Sequence, residues 1–336
     1  FEPDAMAETM LAMLNETGRC RVLLNTAFVE ARHADGKASA ISLSNGVVIR
    51  AKIFIDATDA VLCAQLGCEL MIGRDRRADF NEPGAPPEPL MRLNGATLMY
   101  RITPLAKNEP DLIEPLPESI PEKCWWQGNF PFAFIGQYPK GDRFVNMLPT
   151  MRGEEYFELG PEKAYAECRR RVLAHWHWHQ KNYDEFRRFR LKSIFPVMGV
   201  RETRRVRGEY VLTQHDLIAT CGNQKHDDII AIADHPMDNH GGGGPSGELK
   251  GPYGIPYRCL LPLKTTNVLI AGRAASFSAI AASSCRLSRT MMQLGQAAGT
   301  AAHLSCSGNI PLREVQASEI RRVMAEHIDQ FVQKCE

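Results

Sequence analysis

The feature that most constrains the fold is a buried strand followed by a helix of small residues. Residues 267–273, Asn-Val-Leu-Ile-Ala-Gly-Arg, form an apolar strand that ends in Gly-Arg. In residues 288–302, glycine and alanine are spaced for a helix. Small side chains let such a helix approach a sheet closely, and its first N–H groups can face an electron-rich ligand. The pattern predicts an α/β fold with a ligand site at this strand end.

Composition excludes several classes of function. The 336 residues are 44% hydrophobic and 24% charged, which is typical of a globular protein of one or two domains. Forty basic residues nearly balance thirty-nine acidic ones, so we expect no binding to nucleic acid. No apolar run is long enough for a membrane span. The ten cysteines include no Cys-x-x-Cys pair, which favours reduced thiols and a cytoplasmic location.

Local patterns divide the chain into three parts. We expect a helix at 3–17, strands of a β-meander at 21–24, 27–33, 39–43 and 47–50, and a core strand at 52–57. Nine prolines between 81 and 125 indicate a different, loop-rich unit. The predicted organisation is a discontinuous domain at 1–73 and 262–306, an inserted mixed α+β domain at 74–261 and a helical tail at 307–336.

Four segments in this arrangement resemble the FAD-dependent oxidoreductase family, of the glutathione-reductase and fumarate-reductase type. They follow the family's order and lie at 51–58, 201–210, 254–258 and 267–302. With the opening helix and meander, the resemblance covers nearly the whole chain. It implies a partial FAD/NAD(P)-binding doubly wound domain, capped by an inserted substrate domain. It also implies FAD as a non-covalent cofactor.

The chain departs from the family at the unit that usually holds the FAD pyrophosphate. That unit is a strand, a Gly-x-Gly-x-x-Gly turn and a helix, and no such unit is recognisable before the helix at 3–17. The chain also begins without methionine or the pattern of a signal peptide. We therefore expect the unit to belong to a missing N-terminal segment or a partner chain. An upstream targeting signal is left open.

The resemblance places cofactor contacts at the strand end and in the following helix. Gly272 would allow close approach of the ribityl chain, and Arg273 would pair with a phosphate or a substrate carboxylate. The amides of Thr290 and Met291 would face the flavin pyrimidine ring, with Ser288 or Thr290 as the N-cap. The alternatives are a surface arginine and a helix that only packs on a sheet.

Thr58 and Asp59 follow the core strand, at the edge where ligands of open α/β sheets collect. Many relatives have glycine where this chain has Asp59. An acidic side chain beside a pyrophosphate is repulsive unless it points away or meets a donor. The alternative is that these two residues only cap a helix at 60–66.

Candidate catalytic residues lie in two segments. Arg201 and Arg204 could hold an anionic or polyhydroxylated substrate; the alternative is a solvated edge with internal ion pairs. His240 is the candidate general base, because imidazole titrates near working pH; the alternative is an exposed loop histidine. We interpret the glycines at 241–244, which follow it, as a hinge or lid.

His175, His177 and His179 look like a metal motif, but only the first and third share a helix face. No acidic or cysteine partner is near them in the sequence, so we predict no metal site. Trp125 and Trp126 could line a site for a sugar-like substrate, but we expect them in the core of the inserted domain.

The function that the resemblance implies is an oxidoreductase in which hydride passes from a small polar organic substrate to flavin N5. A base would take a hydroxyl or amine proton, and the electron acceptor stays open. The alternative is a non-catalytic or incomplete flavoprotein, a fragment or partner subunit that does not bind FAD unaided. A metal-dependent hydrolase that uses the histidine row would require bound zinc.

Overall fold

The computed structural model describes residues 2–239 and 245–335, with side chains up to residue 326. The helices are α1 Pro3–Asn15, α2 Val61–Gln65, α3 Arg77–Phe80, α4 Gly153–Asn182, α5 Gln214–Asn223, α6 Ala279–Ser284, α7 Ser288–Gly308 and α8 Ala317–Cys335. The strands are β1 Phe28–Ala34, β2 Lys37–Leu43, β3 Val48–Ile49, β4 Phe54–Asp56, β5 Leu70–Ile72, β6 Tyr100–Pro104, β7 Ala133–Gln137, β8 Arg143–Met147, β9 Phe189–Ile194, β10 Arg204–Val206, β11 Ile229–Ala233, β12 Tyr253–Pro256 and β13 Val268–Ile270. The predicted mixed α/β class is confirmed. None of the described helices is both long and apolar enough to cross a bilayer.

Two parallel strands bring distant parts of the chain together. β4 pairs with β13, so that Val268 lies opposite Phe54 and Ile270 opposite Asp56. All three residues of β13 are buried, as its apolar sequence predicts. Because the strands are parallel, the segments after Asp56 and after Ile270 leave the same edge of the sheet.

The side chain of Asn267 links the antiparallel meander β1–β2–β3 to the β4–β13 pair by hydrogen bonds. Asn267, just before β13, accepts from the N–H of Ala38 (2.9 Å) and donates to the carbonyls of Ala38 (2.8 Å) and Lys52 (3.0 Å). The strand expected at 21–24 does not form. α1 ends at Asn15 and buries no side chain, so its apolar residues stay on the surface.

The small-residue helix α7 packs mainly against β11 and α8. Gln293 fixes its register on β11, since its Oε1 accepts from the N–H of Ile232 (3.0 Å) and its Nε2 donates to the same residue's carbonyl (3.1 Å). Ala297, Ala298 and Ala301 are fully buried in the first of two core clusters. The alanines of α7 therefore allow close packing of the helix against its neighbours, as the sequence pattern predicts.

A second core cluster lies under a four-stranded antiparallel sheet of order β7–β8–β6–β9. The helix α4 supplies much of its apolar side, including Cys168, Val172 and Trp176. α4 is interrupted at Gly160, which adopts φ +75°, and Pro161 follows. Such a break is expected because proline removes a helical hydrogen bond. Trp126 packs against this core, as expected from the sequence.

The histidine row lies inside this second core. His175 is fully buried, and its Nδ1 is 2.9 Å from the hydroxyl of Tyr100. Its Nε2 is 3.1 Å from Nε2 of His179, whose ring contacts Phe186 and Tyr183. No group of three metal-binding side chains occurs in the described part of the chain. His175 and His179 thus lie on an aromatic-packed face of α4.

Burial makes the second core sensitive to acid. Desolvation lowers the pKa of His179 from 6.5 to about 4, and Glu185 opposes the shift only in part. The unfolded chain binds this proton near pH 6.5 and the folded chain only near pH 4. The free energy of unfolding should therefore fall as the pH drops through this window, by about 3 kcal/mol for this group. We expect urea unfolding of His179→Phe to show a smaller slope of free energy against pH between pH 6.5 and 4.

Exposed His303 provides the control for this prediction. The His303→Gln variant removes a histidine from the exposed part of α7, away from the second core. Carboxylates that titrate in the same range contribute equally to all three proteins, so the difference in slope between His179→Phe and the unmodified protein reports on the buried pair of His175 and His179. Equal slopes for His179→Phe and the unmodified protein would contradict the prediction.

A buried ionic network joins the segments on either side of the second core. Arg205 is fully buried, and its Nη1 donates to Oε1 of Glu202 (2.6 Å). Its Nη2 donates to the carbonyl of Gly73 and to Oδ1 of Asp75, both at 2.9 Å. The second carboxylate oxygen of Asp75 accepts from the N–H of Ala279 (2.6 Å) at the start of α6. These bonds pair charges that water cannot reach, and Nε of Arg205 is left without an acceptor among the described residues.

Candidate functional site

A cavity of about 620 Å³ opens at the edge where β4 and β13 end. Its volume lies within the ~300–1,000 Å³ of small-molecule sites. It is lined by residues after both strands and by the first two turns of α7: Ala57, Thr58, Asp59, Val61, Ala271, Gly272, Arg273, Ser288, Met291, Met292 and Gly295. Of the six predicted cofactor residues, only Thr290 does not line this cavity.

The turn after β4 is organised by Asp56, which sequence reasoning missed. This carboxylate is 2% exposed; Oδ1 accepts from the N–H (3.1 Å) and hydroxyl (2.6 Å) of Thr58, and Oδ2 from the N–H of Cys63 (2.9 Å). The Thr58 hydroxyl in turn accepts from the N–H of Val61 (3.0 Å). Thr58 thus stabilises the start of α2, which is the structural alternative for this residue. Its N–H and its hydroxyl are therefore engaged within the turn.

The Asp59 carboxylate accepts a hydrogen bond from a neighbouring segment. Its Oδ1 accepts from the hydroxyl of Thr203 at 2.9 Å, and its charge also acts on Arg273. Thr203 belongs to the segment 201–210 that the sequence links to the site. The hydrogen bond therefore connects the strand edge to that segment, and it offsets the repulsion expected of an acid in this position.

The end of β13 combines an open backbone with a cation. Gly272 adopts φ +90°, and a Cβ placed on it would meet no atom within 4 Å. This conformation suits glycine and leaves its backbone accessible. Arg273 is exposed, and its Nε donates to the carbonyl of Arg286 (3.2 Å). Desolvation of its guanidinium lowers the pKa of Arg273, and Asp59 opposes that shift.

The first turn of α7 differs from the prediction. Leu287 occupies the N-cap position without a side-chain hydrogen bond, so neither Ser288 nor Thr290 caps the helix. The N–H groups of Thr290 and Met291 both donate to the Leu287 carbonyl, at 3.0 Å, and Thr290 is only 2% exposed. These two amides are already engaged within the helix, and of the two residues only Met291 lines the cavity. The amides without an acceptor among the described residues are those of Ser288 and Arg289, as helix geometry requires.

Arg286, in the linker between α6 and α7, is a second cation that sequence reasoning missed. Its Nε donates to the carbonyl of Ser283 (3.0 Å) and its Nη2 to Oδ2 of Asp238 (2.8 Å). The residue is only 8% exposed. Desolvation lowers the pKa of Arg286, Asp238 opposes this, and the positive charge of Arg273 adds to it. No sequence motif marked this arginine; only the fold brings it beside Arg273.

Arg201 lies close to this pair of arginines. Its Nη1 donates to the carbonyl of Gly95 (2.5 Å) and to the hydroxyl of Thr97 (2.9 Å). Desolvation and the nearby charge of Arg286 lower the pKa of Arg201 to about 10, and Asp238 opposes the shift. The predicted residue Arg201 and the missed residue Arg286 thus belong to one cationic cluster.

Two predicted catalytic residues are not brought into this cluster. Arg204 lies in β10 with its guanidinium 5.4 Å from the ring centroid of Phe157, so it stacks on an aromatic side chain. His240 and the glycines at 241–244 lie outside the described residues. Asp238, two positions before this histidine, is described and pairs with Arg286.

Comparison with known proteins identifies one matching family. A protein-family model described as "FAD dependent oxidoreductase" matches residues 1–324. No curated protein matches the chain.

Two solved structures are similar over part of their length. L-proline dehydrogenase from P. horikoshii is 12% identical, with 73% of this chain and 50% of that chain covered and a TM-score of 0.30. The protein pqsL, a probable FAD-dependent monooxygenase from Pseudomonas aeruginosa, is 12% identical, with 94% and 63% covered and a TM-score of 0.31. The chain therefore spans half to about two thirds of the lengths of these proteins. Both TM-scores are low, so neither structure informs the chemistry of this chain.

Proposed function

Because this chain belongs to the FAD-dependent oxidoreductase family, we propose that it oxidises a small polar organic substrate by hydride transfer to N5 of FAD. The match of the family model to residues 1–324 confirms the predicted family, and with it the predicted cofactor, non-covalently bound FAD. The observation that carries the proposal is the cavity at the carboxyl edge of β4 and β13, where open α/β sheets bind their ligands.

The residues around this cavity fit part of a flavin nucleotide. The backbone at Gly272 is open to close approach, and Arg273 offers a planar fork that suits a phosphate or carboxylate. The free amides of Ser288 and Arg289 add donors at a positive helix end. When bound, FAD supplies the hydride acceptor, and the protein supplies position, charge and a proton acceptor.

The proton acceptor that we propose is His240, on the grounds of its sequence position alone. Its imidazole would take the hydroxyl or amine proton as the substrate loses hydride. Arg201 is proposed to bind the substrate, and the cationic cluster with Arg286 supports this. Arg204 stays a proposed substrate contact, although its stacking on Phe157 supports a structural role better.

We also propose a two-domain organisation. The pairing of β4 with β13 supports a discontinuous FAD-binding domain built from 1–73 and 262–306. The second core cluster, drawn from residues 98–189, supports an inserted unit. Buried residues between Val206 and Leu261 belong to the first cluster, which favours an inserted unit smaller than 74–261. The tail at 307–336 contains α8, which packs on α7.

Anaerobic flavin reduction tests this function. The chain would be mixed with FAD, freed of excess cofactor by gel filtration and treated with small hydroxy and amino acids. We expect retained flavin absorbance that bleaches with one substrate class, and more slowly when the reacting carbon carries deuterium. His240→Asn should slow bleaching about 10²–10⁴-fold without releasing FAD, if it acts as the base. Loss of all flavin on the column would contradict cofactor binding. Retained flavin that no substrate bleaches would contradict the reaction.

A further inference from the structure

Three arginines at the site have more hydrogen-bond donors than their surroundings use. Among the described residues, no acceptor is present for Nε and Nη2 of Arg201, for either Nη of Arg273, or for Nη1 of Arg286. A guanidinium carries five N–H donors. In the described part of the chain, none of these nitrogens is among the buried side-chain atoms that lack a partner, so they are open to solvent and can donate to a bound anion.

The three side chains are close enough to repel one another. Arg286 and Arg273 both act on the charge of Arg201, and Arg273 acts on that of Arg286. Direct contact links two of them, since Nε of Arg273 donates to the carbonyl of Arg286 (3.2 Å). Because like charges in a desolvated site repel, an anion between them would be strongly favoured.

The acidic groups around the cluster neutralise only part of its positive charge, and one monoanion would neutralise the rest. Asp238 pairs with Arg286 and also attracts Arg201, while Asp59 attracts Arg273. Among the described residues, three positive charges therefore face two negative ones. A carboxylate would neutralise the remainder, whereas a doubly charged phosphate would leave an excess of negative charge. Planar guanidinium forks also match the planar carboxylate bidentately.

The cluster adjoins the cavity through Arg273, which lines it. An anion held by the arginines would thus lie beside the space that we assign to the flavin. We propose that Arg201, Arg273 and Arg286 form a subsite for the carboxylate of the substrate. The substrate class is then a small monocarboxylic acid that carries the hydroxyl or amine to be oxidised. Naming the anion as the substrate rests on the proposed function, whereas the anion site itself does not.

Thermal unfolding of the whole chain with three probes tests the subsite. Propionate should raise the Tm at constant ionic strength, because a ligand that binds the native state stabilises it. Propionamide, its neutral isostere, should not. Arg201→Gln should weaken the apparent affinity for propionate about tenfold or more, since it removes a charged hydrogen-bond donor. Arg201→Lys, which keeps the charge but not the fork, should lie between the two.

Arg207→Gln is the matched control, because Arg207 lies in the same segment, is partly exposed and pairs with Glu69 on the surface. It should leave the propionate effect unchanged. Equal shifts with propionate and propionamide, or an unchanged propionate affinity in Arg201→Gln, would overturn the subsite.

Measurements with inorganic phosphate and with FAD distinguish a substrate carboxylate from a cofactor phosphate as the anion that the arginines bind. A phosphate shift larger than that of propionate, together with weaker FAD binding by Arg201→Gln, would assign the arginines to the cofactor and overturn the carboxylate proposal. Flavin that no substrate reduces would refute the reaction and yet leave the propionate result standing. The two proposals therefore fail in distinguishable ways.

Discussion

Replacing Arg205 by alanine is expected to lower the free energy of unfolding by about 3–5 kcal/mol. The side chain is fully buried and pairs with Glu202 and Asp75, which are themselves almost inaccessible to water. Its removal would leave two desolvated carboxylates without their ion-pair partner and the Gly73 carbonyl without this donor. Breaking a buried ion pair on one side costs far more than the pair contributes, because the remaining charge cannot be hydrated.

Urea unfolding followed by circular dichroism measures this loss. Arg207→Ala is the control, since its pairing with Glu69 is solvent-exposed and should change stability by about 1 kcal/mol or less. Arg205→Lys keeps the charge but loses the planar guanidinium, so its loss of unfolding free energy should lie between those of Arg207→Ala and Arg205→Ala. This variant replaces Arg205→Ala in the measurement if the alanine variant does not fold. A loss below about 1 kcal/mol for Arg205→Ala would show that water reaches this network.

Gly295→Leu is expected to weaken FAD binding at least about tenfold while the chain stays folded. Gly295 lies in α7 and lines the cavity, and a Cβ placed on it would meet no atom within 4 Å. Leucine is a better helix former than glycine, so the helix should tolerate the change. Its side chain would occupy space that we assign to the flavin.

Gly299→Leu, one turn further along α7, is the matched control. Gly299 is also exposed and also has open space around its Cβ position, but it does not line the cavity. Titration of each variant with FAD, followed by quenching of flavin fluorescence, compares the two. We expect Gly295→Leu to lose binding at least tenfold, or about 1.4 kcal/mol, and Gly299→Leu to bind as the unmodified chain does. Equal affinities in both variants would place the flavin elsewhere.

Local sequence patterns predicted the elements that build the site edge. The apolar run before Gly272 and the spacing of small residues after Ser288 are local sequence signals. They depend on no distant part of the chain, so β13 and α7 could be predicted. The meander strands followed from their hairpin turns in the same way. Where the helix begins was less predictable, since Leu287 rather than a hydroxyl residue holds the N-cap position.

The polar partners in the site could not be predicted, because they come from distant segments. The sequence predicted Asp56 only as one residue of the core strand at 52–57, and only the folded turn shows its carboxylate bound to Thr58 and Cys63. Arg286 had no motif around it and gains its role from contact with Arg273 and Asp238. Dense charge in the segment 201–205 was visible in sequence, but which arginine was buried in a network and which stacked on an aromatic ring depended on tertiary packing.

The location of the flavin is the claim on which the rest depends. A flavin nucleotide with a photoreactive azide, irradiated with the whole chain and followed by peptide mass spectrometry, identifies the residues beside it. We expect labelled peptides that contain residues 271–273 or 288–295, with labelling suppressed by excess FAD. Labelling confined to the second core cluster, between residues 98 and 189, would contradict this claim.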